Sequence, residues 1–223
     1  RHHMAKLRHR CEALNKLDLK ALRYTCENGT DLLLELPEGH IWLGGEESSK
    51  DGTIFNANIP TEEVFSAPQY NGINGIVYST KPLIYHGNTI SDFSFTFKEG
   101  KIVEYTAKEG YEVLKELVET DEGSHYLGEV ALVDHFSPIS QSNQIFFETL
   151  FDENASCHLA IGASYPTCLK DSDGLSEEEL KERGLNHSLT HVDFMIGHER
   201  MNIKGYTRDG QEVDIMIDGR LQV

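Results

Sequence analysis

"FSFTFKEGKIVEY", residues 93–105, decides the fold class. Phe93, Phe95 and Phe97 alternate with Ser94 and Thr96, the period of a strand that turns one face to a core. Lys101–Tyr105 answers across a turn containing Gly100, so the stretch predicts a hairpin with one aromatic face. Hairpins join antiparallel strands, whereas parallel sheets need long crossovers. No regular strand–helix–strand alternation surrounds this hairpin.

The flanks extend the same reading. Residues from about Met4 to Leu22 read as helical, with Leu7, Cys11, Leu14 and Leu17 at helix spacing. From Tyr24 onward the pattern is β. Asp31–Leu36 and His40–Leu43 flank a turn at Pro37-Glu38-Gly39. Glu46–Gly52 reads as a polar loop, and Phe55–Ile59 as a short strand ending at Pro60. Thr106–Glu119 reads as an amphipathic helix, with Tyr111, Leu114, Leu117 and Val118 on one side. Ser176-Glu177-Glu178-Glu179 has the capping-box pattern of a helix start, and Gly184 closes that helix. Asp209-Gly210 and Asp218-Gly219 separate β-like runs and predict a terminal meander. The expected class is α+β: mainly antiparallel sheet with a few flanking helices, with partial closure into a barrel left open.

Composition narrows the function classes. The 223 residues carry a formal charge of −17, which disfavours electrostatic binding to nucleic acid or to anionic membrane. No apolar run is long enough to span a bilayer, and the opening residues do not read as a secretory h-region. Cys11, Cys26, Cys157 and Cys168 form no CxxC pair, so free thiols and a cytoplasmic location are expected. Residues 1–223 are read as one catalytic domain, with Arg1–Met4 set aside as the remnant of a tag or a natural junction.

The chemistry sits where polar residues interrupt apolar strands. In "LTHVDFMIG" (189–197), His191 and Asp193 are two apart and project to one face, while Val192 and Phe194 turn to the other. Taken alone, a buried His–Asp hydrogen bond explains them better than a metal does. Glu129 precedes the apolar run Val130–Val133, where an unpaired carboxylate is costly. His158 lies in "CHLAIG", and Tyr165 follows seven residues on. Glu62 and Glu63 sit together in "PTEEVF", where a solvated turn or a helix N-terminus accounts for them without a metal. Together these residues make an oxygen-rich donor set with imidazole and without thiolate, suited to a pair of divalent cations. Such a pair activates water for hydrolysis. Ser124-His125 offers a nucleophile and base but no third partner, and no HExxH or GxSxG motif occurs. A phosphoesterase remains open chemically, although no Arg/Lys cluster accompanies the motifs.

Five stretches in series, "IPTEEVFSAP", "NGINGIVYSTKPL", "ETDEGSHYLGEVALV", "LFDENASCHLAIG" and "SLTHVDFMIG", resemble the thermophilic aminopeptidase family of dinuclear metallopeptidases. The resemblance implies a metallo-aminopeptidase that releases N-terminal amino acids from peptides with a free N-terminus. It implies attack by a water or hydroxide bridging two divalent ions (zinc, cobalt or magnesium). The implied metal ligands are Glu63, Glu129, His158, His191 and Asp193, with Glu129 bridging. Tyr165 is the implied active-site tyrosine, donating to the oxyanion. The resemblance further implies a homodimer. Family members carry an N-terminal α/β domain that this sequence does not show, so the alternative is a metal-binding, dimerising domain with little activity of its own.

Overall fold

The computed structural model describes residues 2–49, 51–56, 61–142, 144 and 152–223. Its strands are β1 (Leu19–Thr25), β2 (Asp31–Glu35), β3 (Glu46–Ser48), β4 (Ile54–Asn56), β5 (Val64–Ser66), β6 (Ile73–Tyr78), β7 (Leu83–Tyr85) and β8 (Asn88–Lys98). They continue with β9 (Lys101–Glu109), β10 (Leu127–Leu132), β11 (His158–Gly162), β12 (His191–Met195), β13 (Asn202–Thr207), β14 (Glu212–Ile217) and β15 (Arg220–Leu221). Four helices are described: α1 (His2–Leu17), α2 (Tyr111–Val118), α3 (Pro138–Gln141) and α4 (Glu177–Glu182).

The strands form two main antiparallel sheets. The larger has the order β15-β14-β13-β1-β2-β6-β8-β7, with β9 paired to β8. The smaller has the order β12-β11-β10-β5. The opening hairpin forms as its alternation requires: Phe95 faces Tyr105, Phe97 faces Ile102, and Glu99 and Gly100 turn the chain with positive φ. Its aromatic face meets the smaller sheet, where Phe194 lies 5.1 Å from Phe95 and 5.9 Å from Phe93 between ring centroids. Leu7 and Leu14 of α1, and Leu114 and Leu117 of α2, are fully buried in the same core. Each such side chain contributes roughly 1.5–3 kcal/mol.

The terminal meander β13–β14–β15 and the capping box at Ser176 are present, the latter with both reciprocal hydrogen bonds. Other elements differ from the sequence reading. The first helix stops at Leu17, because Asp18 takes φ 44 and Leu19–Thr25 pairs between β13 and β2. The second helix starts at Tyr111 rather than Thr106, since β9 runs on to Glu109 and Gly110 turns with φ 76. His40 and Leu43 make single bridges to Leu169 and Phe65 instead of a strand beside β2. The loop expected at 46–52 contains β3, which pairs with β4. Of the strand expected at Phe55–Ile59, residues 57–59 and Pro60 lie outside the described residues. Both sheets stay open, and no closed barrel forms among the described residues.

Candidate metal centre

Strand phase places the candidate residues. In the smaller sheet Glu129 pairs with Ala160, Ala160 with Asp193, and Gly162 with His191; His158 pairs with both Ala131 and Met195. These residues share one face of the sheet. Val130, Leu132, Leu159, Ile161, Val192 and Phe194 turn the other way into the core. Glu63 stands just ahead of β5, in phase with Phe65, which pairs with Ala131. A bulge at Gly128 brings Glu129 into this register.

Two groups of donors result. Glu63, Glu129 and His158 place ligand atoms within 4.8 Å of one another, and so do Glu129, His191 and Asp193. His158 Nε2 lies 3.1 Å from Glu63 Oε2 and 3.4 Å from Glu129 Oε1. His191 Nε2 lies 3.6 Å from Glu129 Oε2 and 3.4 Å from Asp193 Oδ1. Glu129 therefore turns one oxygen to each histidine and belongs to both groups. Both imidazoles are anchored at the far nitrogen: His158 Nδ1 to the Ser156 carbonyl at 2.9 Å, His191 Nδ1 to the Ala163 carbonyl at 2.8 Å. That leaves each Nε2 facing the carboxylates.

The centre is electrostatically tense. Burial raises the Glu129 pKa, and the nearby Asp193 and Glu63 charges add to this against the pull of His158. Burial alone would lower the His158 pKa, but the carboxylates of Glu129 and Glu63 raise it well above the ordinary value. Burial alone would lower the His191 pKa, but the Asp193 contact, the Glu129 charge and the Ala163 carbonyl together raise it to about 9. The same contact, with the His158 charge, lowers the Asp193 pKa against its own burial. Even so, Glu63 Oε2, His158 Nε2 and Asp193 Oδ1 are buried without a hydrogen-bond partner among the described residues. Their close approaches are misaligned for hydrogen bonding, although unpaired buried polar atoms are normally rare.

Tyr165 stands beside this cluster, its ring 4.8 Å from that of His191 and 6.4 Å from that of Phe65. Burial, with the Glu129 and Asp193 charges, pushes its phenol up to about 12, so it keeps its proton at neutral pH. Glu62 points elsewhere: it faces His3 of α1 at 3.8 Å and feels Arg10 and Lys6. Ser124 and His125 lie apart from the cluster; Ser124 is fully buried and donates to the Val118 carbonyl.

One residue escaped the sequence reading. Glu153 precedes β11 in a short 3-10 turn, and its pKa is pushed up to about 8 by burial and by the charges of Glu63 and Asp193. The available signal was an acidic pair, Asp152-Glu153, close before the His158 strand. It carries no strand phase and so gives no direction.

A family model described as thermophilic metalloprotease (M29) matches residues 1–221. Aminopeptidase AmpS of Bacillus subtilis (strain 168) is 54% identical over 97% of this chain and 53% of its own length. Aminopeptidase 2 of Geobacillus stearothermophilus is 51% identical over 98% of this chain and 53% of its own. The chain thus spans about half the length of the curated relatives it matches. Among solved structures, wild-type AmpT from Thermus thermophilus superposes with a TM-score of 0.94 at 42% identity, covering 99% of this chain and 54% of that one. The 2,5-dihydroxypyridine dioxygenase of Pseudomonas putida KT2440, at 13% identity and a TM-score of 0.63, shares the fold alone. With its family match running almost end to end, the chain belongs to the thermophilic metalloprotease family M29.

Proposed function

We propose that this chain carries the metal centre of an aminopeptidase that releases N-terminal amino acids from peptides. The observation that carries the reading is the set of buried, unpartnered donor atoms, Glu63 Oε2, His158 Nε2 and Asp193 Oδ1, all at the one cluster. Carboxylate oxygens and imidazole nitrogens that approach each other at 3.1 and 3.4 Å without a hydrogen bond fit a cation better than they fit one another. Glu63, Glu129 and His158 would hold one divalent ion; Glu129, His191 and Asp193 would hold a second, with Glu129 common to both. The donor set suits zinc, cobalt or magnesium. When bound, the ions supply Lewis acidity, polarising the scissile carbonyl and lowering the pKa of water towards neutrality.

The protein's own groups do the rest. Tyr165, protonated at neutral pH, donates to the oxyanion that develops on the peptide carbonyl. The clustered carboxylates of Glu63, Glu129 and Asp193 make the surroundings receptive to a cationic α-amine. Phe65 and the strand backs hold the ligands in place. A homodimer and a cytoplasmic location go with this reading as proposals. No helix among the described residues is long and apolar enough to cross a membrane.

The test is elemental analysis together with hydrolysis of aminoacyl-p-nitroanilides. It is run on this chain and on a longer chain carrying the additional length of the relatives. Turnover requiring stoichiometric metal supports the reading, and a phosphoester cleaved in preference would overturn it. The chain's half-length match favours one second reading: a metal-binding, dimerising unit with little activity alone. Metal uptake with turnover only in the longer chain would select it.

A further inference from the structure

We propose that Asn186 is a positioning residue for His191. Its carboxamide fixes the Gly162–Ala163 segment whose carbonyl orients that imidazole. The inference rests on the metal centre proposed above and extends it to a residue outside the donor set.

Asn186 is buried in the segment between α4 and β12. Its Nδ2 donates both protons, to the Gly123 carbonyl at 2.8 Å and to the Gly162 carbonyl at 2.7 Å. Its backbone closes a ring with Ser164: Asn186 N donates to Ser164 Oγ at 3.1 Å, and Ser164 N donates to the Asn186 carbonyl at 2.9 Å. Between these two anchors lies Ala163. Its N–H donates to the Thr190 carbonyl at 2.8 Å, and its carbonyl accepts from His191 Nδ1 at 2.8 Å. That bond holds a proton on Nδ1 and leaves Nε2 as the nitrogen that a cation would take in place of its proton.

The backbone here has no slack. A Cβ on Gly162, at φ 104, would lie 2.1 Å from the Thr190 carbonyl oxygen. A Cβ on Gly128 would lie 2.3 Å from the Ala163 carbonyl oxygen. Glycines at 128 and 162 let the Ala163 and Thr190 carbonyls pack directly against neighbouring backbone, and Asn186 ties that crowded turn to the Gly123 segment. Only a two-proton donor can satisfy both the Gly123 and Gly162 carbonyls; aspartate and leucine of similar size cannot.

The test is cobalt titration of the metal-free chain, followed by its visible absorption. Asn186→Leu removes both donors without adding charge near the centre. The expected result is an affinity loss of about tenfold and a shifted cobalt band. Ile215→Ala, a core truncation in the larger sheet, is expected to lower the melting temperature and leave affinity and band unchanged. Should Asn186→Leu not fold, Ser164→Ala, which removes one acceptor of the same ring, is expected to give a smaller shift in the same direction. A wild-type cobalt signal reproduced by the ring variants would overturn the positioning role alone, as would Ile215→Ala matching their shift. A wild-type chain that takes up no cobalt would overturn the metal centre and this inference with it.

Discussion

Replacing Glu129 by glutamine reverses the stability order of the chain depending on whether metal is present. Without metal, the folded state disfavours the Glu129 carboxylate: burial and the charges of Asp193 and Glu63 raise its pKa. The neutral, isosteric amide is therefore expected to stabilise the metal-free chain by on the order of 1 kcal/mol, as functional-site substitutions commonly do. For a chain of this size that is a rise of roughly 2–4 °C in melting temperature. With metal the sign changes. Zinc at a hundredfold excess over its Kd stabilises the wild type by about 2.7 kcal/mol, or roughly 5–11 °C. Glu129 belongs to both donor groups, so its loss weakens both sites and removes most of that gain. The assay is calorimetric unfolding of chelator-treated protein with and without zinc, paired with elemental analysis. A Glu129→Gln chain that holds two equivalents of metal and gains as much from zinc as the wild type would refute the shared-ligand reasoning.

The other predictions follow from the same geometry. Glu63→Gln is expected to lose metal, whereas Glu62→Gln keeps its metal because the Glu62 carboxylate faces α1; equal metal loss would contradict the assigned directions. Tyr165→Phe should retain metal but lower aminopeptidase turnover by roughly 10²–10³-fold, and an unchanged rate removes the phenol from the reaction. Asp121 accepts from Leu189 N at 2.6 Å and from Ser188 Oγ at 2.8 Å. Burial would raise its pKa, but these bonds hold it below the ordinary value. A depressed carboxyl stabilises the fold above its unfolded pKa, and the contribution is lost as pH falls through the folded one. Asp121→Asn should therefore be less stable than the wild type at neutral pH, by under about 1 kcal/mol because solvent screens the group, with the gap closing below about pH 4. A gap that stays constant in denaturant melts across that range sinks the assignment. Gly162→Ala meets the Thr190 carbonyl and should shift the denaturant midpoint down sharply; an unshifted midpoint means the turn relaxes freely.

Local signals were legible in the sequence because local physics decides them. The Phe93–Phe97 alternation, the Ser176 capping box and the Asp-Gly turns of the meander all depend on near neighbours. Element ends were not legible where distant pairing decides them. Leu19–Leu22 continues the apolar spacing of α1, but Leu19 pairs with Thr207 at the other end of the chain. The same holds for Thr106, which pairs with Ser94 rather than starting a helix. At the candidate centre, charged residues inside apolar strands stood out. Glu62 and Glu63 did not separate, because their directions depend on the phase of β5 against β10. Glu153 stayed hidden because a 3-10 turn gives no phase to read.

The centre also depends on residues that sequence reading treats as filler. Along β11 the face that carries His158 continues through Ala160 to Gly162. Ala160 stands directly between Glu129 and Asp193 across the three strands, and Ala131 stands between His158 and Phe65. A leucine at either position would fill the space into which the carboxylates turn. Methyl groups and a glycine in the middle row let four polar side chains from neighbouring strands converge above the sheet. In "ALV" and "LAIG" these alanines look like ordinary strand apolar positions, yet the opposite face of the same strands carries Val130, Leu132, Leu159 and Ile161, all fully buried. Large residues on one face and small ones on the other make the sheet a core wall on one side and a polar floor on the other. The strand register turns that asymmetry into a place for cations, and a run of hydrophobicity alone does not reveal it.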